Sequence, residues 1–340
     1  MKKIRVQDAI GQILCHDITK VIPGEFKGRA FARNHVIRPE DVEELLKIGK
    51  SHIFIWEENA GEIHEDEAAV RIAEAVMGAN IVHDEPREGK TILQTTARGL
   101  FKVNSPLLKE LNFIESVTIS CRPHNFTVEE GDKLAGTRII PLVIEEEKIK
   151  HLEERCKSQG PVFEVIPYRK LKVGIVITGS EVYHGRIEDR FGPVIKQKLA
   201  YFNAEVLGQI YCPDDISKLD DAIRSFLERD ADLIILTGGM SVDPDDLTPG
   251  AIKNSGAKVV TYGVPIQPGN MTMLAYLNKT ALAGVPGAAI HSKTTALDVI
   301  LPRIFTGEIL TKEVFVDMGE GGFCLGCKDC TYPRCYFGRS

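Results

Sequence analysis

The stretch Thr237-Gly238-Gly239-Met240-Ser241-Val242-Asp243-Pro244-Asp245-Asp246-Leu247-Thr248-Pro249 holds the residue types best suited to chemistry in this chain. Two adjacent glycines let backbone N–H groups approach a ligand with no Cβ in the way. Three aspartates in the same turn would repel an anion unless a hard divalent cation stood between them, so the combination points to metal-bound phosphate. Thr248 reads as an N-cap with Pro249 at the first helical position, and the positive end of that short helix suits a phosphate. The run Asp232-Leu233-Ile234-Ile235-Leu236 before the loop reads as a strand buried on both faces of a parallel sheet. Glycine turns with solvated aspartates also end strands in any doubly wound domain. What favours function is the crowding of glycines, aspartates and cap into one loop.

The elements that must position this loop begin at residue 171. Strands are expected at 171–178, 205–211, 233–236, 258–261, 271–276 and 280–283. Helices are expected at 193–203 after a break at Gly192, at 216–228 with Leu219, Ile223, Phe226 and Leu227 inward, and at 289–305. Such alternation specifies an α/β fold with a mostly parallel sheet and ligands at the carboxyl ends of its strands. The loops there are polar and rich in glycine or proline. They are Thr178-Gly179-Ser180-Glu181 with Asp189 beyond it, Cys212-Pro213-Asp214-Asp215, the central loop, residues 263–270 with Pro268-Gly269, and residues 284–289 with Pro286-Gly287. Together they describe a wide pocket with phosphate-binding backbone and acidic cation ligands. Asp214-Asp215 by itself reads as a helix N-terminus meeting the dipole. Neither Gly-x-Gly-x-x-Gly nor Gly-x4-Gly-Lys-Ser/Thr occurs, which removes the commonest nucleotide folds.

Residues 1–165 read as a mixed α+β, β-rich region open to division into two subdomains. Val42, Leu45, Leu46 and Ile48 have helical spacing that ends at Gly49. Residues 51–56 are strand-like, and a second helix over 66–77 stops at Gly78. The pattern is β-rich over 90–144, with a short helix starting at Asn104-Ser105-Pro106. Residues 137–144 read as one strand with a bulge or edge at Pro141. A charged helix over 145–157, with Ile149, Leu152 and Cys156 on one stripe, looks like a connector closed by Gln159-Gly160-Pro161. His83 and the Arg122-Pro123-His124 group lack ligand spacing and read as surface or hydrogen-bonded histidines. The expected boundaries are 1–165, 166–310 and a C-terminal segment 311–340.

The 340 residues carry a net charge of -6 with both signs interspersed, which argues against nonspecific nucleic-acid binding. No apolar run is long enough to cross a bilayer, and the start lacks a signal-peptide stretch, so a cytoplasmic protein is expected. Cys15, Cys121, Cys156 and Cys212 sit in ordinary segments and read as buried small hydrophobes. Cys324-x2-Cys327-x2-Cys330-x4-Cys335 is different, with four thiols within a dozen positions. Thiolates so spaced can surround one metal, either Zn2+ or an iron–sulfur cluster. The bland alternative is a flexible tail with reduced or casually oxidised thiols.

Residues 171–307 resemble the molybdopterin-binding domain shared by molybdenum-cofactor biosynthesis enzymes and the CinA family. The resemblance rests on Thr178-Gly179-Ser180-Glu181, Asp189, Asp214-Asp215, Thr237-Gly238-Gly239-Met240-Ser241, Asp246, Pro268-Gly269 and Pro286-Gly287, in order and spacing. A preceding domain and a following module resemble the molybdenum insertase more than the single-domain adenylyltransferase. The insertase's proline-glycine loop continues with lysine where this chain has Asn270, and its last loop reads Leu-Pro-Gly-Asn-Pro where this chain has Val285-Pro286-Gly287-Ala288-Ala289. Its Asp-Ser-Asn is Asp189-Arg190-Phe191 here, and its Ser-x-Met-Asp-Gly-Tyr-Ala motif is missing. These departures bear on turnover more than on pterin binding.

The resemblance implies that adenylylated molybdopterin and molybdate react with Mg2+ present, releasing AMP. Thr178, Gly179, Ser180, Glu181, Gly238, Gly239, Ser241, Pro268, Gly269, Pro286 and Gly287 would cradle the pterin and its phosphate. Asp246, helped by Asp189 or Asp214, would hold the cation and carry the catalysis. It also implies a homo-oligomer and AMP or ATP as small-molecule partners. The cysteine tail lies outside the region the resemblance covers, and its role reads as structural, redox sensing, or docking to a molybdoenzyme. Two other readings compete: a CinA-like Mg2+-dependent nucleotide pyrophosphatase, and a non-catalytic pterin carrier or sensor.

Overall fold

In the strand Lys172–Thr178 (β1), Val173, Ile175 and Ile177 face one core while Val176 faces another, so both sides of the strand are apolar. A strand so composed is stable only with helices on both faces of its sheet. The computed structural model describes residues 2–22, 24–55, 60–244 and 246–339. These fall into two units. One comprises Met1–Thr96, Val103–Arg122 and Glu130–Glu164; the other comprises Ala97–Lys102, Pro123–Glu129 and Val165–Ser340.

The second unit is the α/β domain. After β1 come the turn Ser180–Tyr183 (α1), helix Phe191–Tyr201 (α2), strand Glu205–Cys212 (β2) and helix Ile216–Leu227 (α3). Strand Leu233–Thr237 (β3), helix Thr248–Asn254 (α4) and strands Lys258–Tyr262 (β4), Met273–Leu277 (β5) and Thr280–Val285 (β6) follow. Helices Ala288–His291 (α5), Ala296–Phe305 (α6) and Lys312–Asp317 (α7) complete it. The sheet order is β2-β1-β3-β6-β5-β4, and β5 is antiparallel to both neighbours. Helices α2 and α6 cover the Ile175 face, and α3 and α4 cover the Val176 face. Phe226 of α3 lies so close over Gly174 that a Cβ there would fall 2.4 Å from its ring.

The connection from β1 leads to β2 on one side, and that from β3 leads to β4 on the other. Their carboxyl ends therefore flank a topological switch point, where crevices open in sheets of this kind. Because β4 runs antiparallel to β5, the loop 263–272 between them returns to that same edge.

Four local expectations are corrected. The single helix over 289–305 is two, because Thr295 and Asp298 form a reciprocal capping box that starts α6 afresh. Thr248 is the first residue of α4 rather than its cap; Leu247 caps it, and the Thr248 hydroxyl bonds elsewhere. The strand over 137–144 divides into Lys133–Ile139 and Val143–Glu145, which pair in separate sheets on either side of Pro141. Gly192 lies inside the first turn of α2 instead of breaking it.

In the first unit, helix Glu65–Val76 packs Ala69, Ile72 and Ala73 inward against Lys133–Ile139 and against helix Glu146–Gln159. That charged helix is thus a packed element of its unit. Strand His52–Ile55 occupies the expected place, with Trp56 outside the described residues. Glu65 is only 5% exposed. Its carboxylate is pressed under Gly89, whose φ of +67° and absent Cβ make the contact possible. Burial, then the neighbouring Asp66, pushes the Glu65 carboxyl up from 4.5 to about 7. A carboxyl with a raised folded pKa holds its proton longer in the folded state. Its contribution to stability is full below pH 4.5 and is lost as pH rises through about 7. Glu65→Gln should therefore stabilise the protein at pH 8 by about 1–3 kcal/mol and by much less at pH 4.5. Thermal denaturation at the two pH values reads this out, and equal shifts at both would refute it.

Candidate functional site

The ends of β1 and β3 meet through Gly238. A Cβ on Gly238 would stand 2.4 Å from the Thr178 carbonyl oxygen and 2.6 Å from its Oγ1, and the residue has φ +84°. Gly239 follows at φ +53°. Only glycine accepts two such angles together with that approach. The loop is held from behind by α4: the Thr248 hydroxyl donates to the Gly238 carbonyl at 2.8 Å, and its N–H to Gly239 at 3.2 Å. Met240 is buried against Gly284 of β6, where a Cβ would fall 2.6 Å from its sulfur. The Tyr262 hydroxyl, at the end of β4, lies 3.2 and 3.1 Å from the carbonyls of Met240 and Ser241. Burial, and then the nearby Asp246 carboxylate, push its phenol pKa up.

Among the described residues, three side-chain oxygens at this edge are buried without a hydrogen-bond partner: Thr178 Oγ1, Thr237 Oγ1 and Asp246 Oδ2. Such atoms are uncommon in folded proteins and invite a ligand or an ordered water. Asp245, the third aspartate of the loop, lies outside the described residues. The Asp246 N–H donates to Asp243.

The other expected residues have varied employment. The Asp189 carboxylate accepts from the N–H groups of Phe191 and Gly192 with one oxygen, at 2.8 and 2.9 Å. Its second oxygen accepts from Gln209 and Tyr211. Both oxygens are therefore spent on holding α2 to β2, so the residue does not fit a cation ligand. Asp214 accepts the Ser180 N–H at 2.9 Å and ties the first two loops together, while Asp215 caps α3 through Ser217 and Lys218. Glu181 and Ser241 are exposed, and Gly179 turns at φ +134° with room around it. Gly269 is buried: its φ is +105° and a Cβ would meet the Ala296 nitrogen at 2.9 Å, so this glycine packs its loop against α6. Pro268 accepts the Ala296 N–H. Pro286 is half-buried, and Gly287 is exposed with open space where a Cβ would point.

The cysteines separate into two groups. Cys15, Cys121, Cys156 and Cys212 are buried or partly buried, and burial pushes each thiol up to about 11. Of the tail cysteines, Cys324 and Cys335 pack on the edge of the core, whereas Cys327 and Cys330 are exposed. Cys330 Sγ lies 3.3 Å from Thr294 Oγ1. Among the described residues no three His, Cys, Asp or Glu side chains are arranged to hold a metal. The four thiols are thus not gathered in one place among the described residues: two pack on the core and two face solvent.

Sequence reading missed Tyr262, and it gave Thr237 no binding role of its own although that residue opens the central loop. Each ends a strand at the carboxyl edge, and that position was the available signal.

Residues 174–306 match the family described as Probable molybdopterin binding domain. The α/β domain belongs to this family. Residues 3–57 match a family described as a domain of unknown function. The molybdopterin molybdenumtransferase of Haemophilus influenzae is 29% identical over 150 residues, which cover 42% of this chain and 37% of that protein. The CinA-like protein of Mycobacterium marinum is 38% identical over 77 residues, covering 23% of this chain and 18% of that one. The chain therefore spans well under half the length of these relatives. Among solved structures, the molybdopterin biosynthesis enzyme MoaB from Thermus thermophilus aligns at TM-score 0.32 and 20% identity, over 41% of this chain and 98% of its own. The tungsten cofactor synthesizing protein MoaB from Pyrococcus furiosus aligns at TM-score 0.35 and 20% identity, over 40% and 94%. No helix among the described residues is long and apolar enough to cross a membrane.

Gly238→Ala should lower the thermal stability of the α/β domain by about 1–3 kcal/mol through strain and clash. Gly287→Ala, with φ -53° and open space, should leave it unchanged. Equal denaturation midpoints for the two variants would refute the role given to Gly238. Brief alkylation at neutral pH, followed by peptide mass spectrometry, should modify Cys327 and Cys330 well before the four buried thiols. Early labelling of Cys15 or Cys212 would contradict this burial pattern.

Proposed function

We infer that the loop edge of the α/β domain binds molybdopterin, free or adenylylated, and that Asp246 is its working carboxylate. The observation that carries this reading is the set of unpartnered buried oxygens on Thr178, Thr237 and Asp246 at a topological switch point. A buried polar atom left unpaired costs about 1–3 kcal/mol, and more when charged. Two hydroxyls able to donate and one carboxylate able to accept suit a ligand carrying both phosphate oxygens and a cation.

Magnesium fits this donor set as an ion shared with the substrate, since Mg2+ is commonly held by one or two carboxylates plus substrate phosphates and water. Asp246 would hold it; Asp189 is committed to α2. The ion would supply polarisation of the phosphoanhydride in adenylylated molybdopterin. Gly238 and Gly239 bring backbone close to the phosphate, the Thr178 and Thr237 hydroxyls orient it, and Tyr262 keeps the loop in place. Water attacking the anhydride would release AMP and leave the pterin's own phosphate, and the two dithiolene thiols would take molybdenum from molybdate as one of its oxygens leaves as water. Homo-oligomerisation and docking on a molybdoenzyme belong to this reading as well. A metal on the tail does not, because its thiols would first have to be drawn together.

The 38% identity to the CinA-like protein, higher than to the molybdenumtransferase though over a shorter span, favours a second reading. In it the same edge hydrolyses a nucleotide pyrophosphate. Asn270 and Ala288-Ala289, which replace the insertase's lysine and asparagine-proline, favour a third, a carrier that binds the pterin without turnover.

The deciding experiment incubates the protein with adenylylated molybdopterin, Mg2+ and molybdate and measures AMP by chromatography. Molybdate-dependent AMP release that falls roughly a hundredfold in Asp246→Ala is expected, the scale for losing one electrostatic contact to a transition state. Bound pterin with no AMP would replace the insertase by the carrier. ADP-ribose hydrolysis in place of molybdate-dependent release would replace it by the pyrophosphatase.

A further inference from the structure

A cavity of about 610 Å³ opens between α2, the junction of α5 with α6, and the C-terminal tail. None of its lining comes from the β1, β3 or Pro268-Gly269 loops. Its volume is that of small-molecule sites, and its lining mixes flat apolar walls with a few convergent polar groups. The walls include Tyr201, Phe202, Pro302 and, from the tail, Tyr332 and Pro333.

The charges in the cavity are unbalanced. Lys198 and Asp298 form an ion pair at 2.5 Å, with side chains only 13% and 14% exposed. The other oxygen of Asp298 is spent on the Thr295 N–H and hydroxyl in the α6 capping box. Asp298 is thus consumed by the fold and by Lys198. Lys293 lines the same cavity, is exposed, and its ammonium donates only to the uncharged Lys328 carbonyl at 3.3 Å. Leaving His291 out of the count, the lining carries two cations, Lys198 and Lys293, against one anion, Asp298. That is one net positive charge on a chain whose net charge is -6. An ammonium offers three N–H donors. Lys198 uses two of them, on Asp298 and on the Lys293 carbonyl.

We propose that this cavity is a second ligand site, apart from the β1, β3 and Pro268-Gly269 loops and meeting the last carboxyl-edge loop only at Ala289, for a small molecule with a flat aromatic body and one anionic group, phosphate or carboxylate. The aromatic part lies against Tyr201, Phe202 and Pro302, and the anion meets Lys293 and the remaining donor of Lys198. The tail is one wall of this site: Tyr332 is fastened there by its hydroxyl to the Asp298 carbonyl at 2.8 Å.

The probe is 1-naphthyl phosphate, titrated against the full-length protein by its fluorescence, with 1-naphthol and inorganic phosphate as the separate halves. Saturable binding is expected, at least tenfold tighter than for either half and weakening with salt. Lys293→Glu should weaken it at least tenfold and remove most of the salt dependence. Val194→Trp, which fills the cavity, should abolish it, while Asp246→Ala should bind as the wild type does. Circular dichroism of each variant establishes that it is folded. Absence of saturable binding, binding that survives in folded Lys293→Glu and Val194→Trp, or loss of binding in Asp246→Ala would each overturn the proposal. Equal affinity for 1-naphthol would overturn the anionic half of it.

Discussion

The approach of Gly238 to the Thr178 carbonyl is the constraint on which the α/β domain's loop edge depends. A backbone-to-backbone contact at this distance exists only where one partner has no Cβ, and where its φ lies in the left-handed region. It brings the ends of β1 and β3 together at the switch point. Everything else at the edge serves to keep that geometry. Thr248 anchors the loop to α4, Tyr262 holds its outer carbonyls, and Met240 wedges beneath Gly284.

Four aspartates around this edge show how hydrogen bonding sorts one residue type into different roles. Asp189 saturates both oxygens on α2 and β2, Asp214 couples two loops, and Asp215 caps α3. A carboxylate with its lone pairs occupied by fixed donors has little left for a cation. Asp246 alone of the four has a buried oxygen without a partner. Its loop is stabilised by other groups, so its Oδ2 is not spent on the fold.

The tail belongs to the same unit rather than trailing from it. Residues Gly322 and Cys324 exchange backbone bonds with Gln267, immediately before Pro268-Gly269. Farther on, Tyr332 and Phe337 pack into the core under α6. These attachments explain the fate of the thiols. Positions 324 and 335 are carried along with the packed segments, and 327 and 330 fall on the turns between them, facing solvent. Apolar packing of their neighbours, and not cysteine spacing alone, sets where each thiol lies.

Much of the α/β architecture was legible from the chain alone. Continuous apolar runs separated by amphipathic helices leave few options but a largely parallel sheet covered on both sides. The glycine pair and the polar strand-end loops then fall along its carboxyl edge. Helix Glu65–Val76 and its stop at Gly78 were equally plain, because periodicity and breaker are local signals. What depended on partners distant in sequence was not legible. The break before α6 follows from a capping box that competes with an otherwise continuous apolar stripe. The division at Pro141 follows from which sheet each half pairs with, and the role of Asp189 from where β2 places Gln209 and Tyr211. Residue type and spacing by themselves determined which groups could do chemistry here. Only the tertiary structure decided which of them were left unsatisfied, because a hydrogen-bond donor brought from another element consumes a carboxylate as completely as a ligand would.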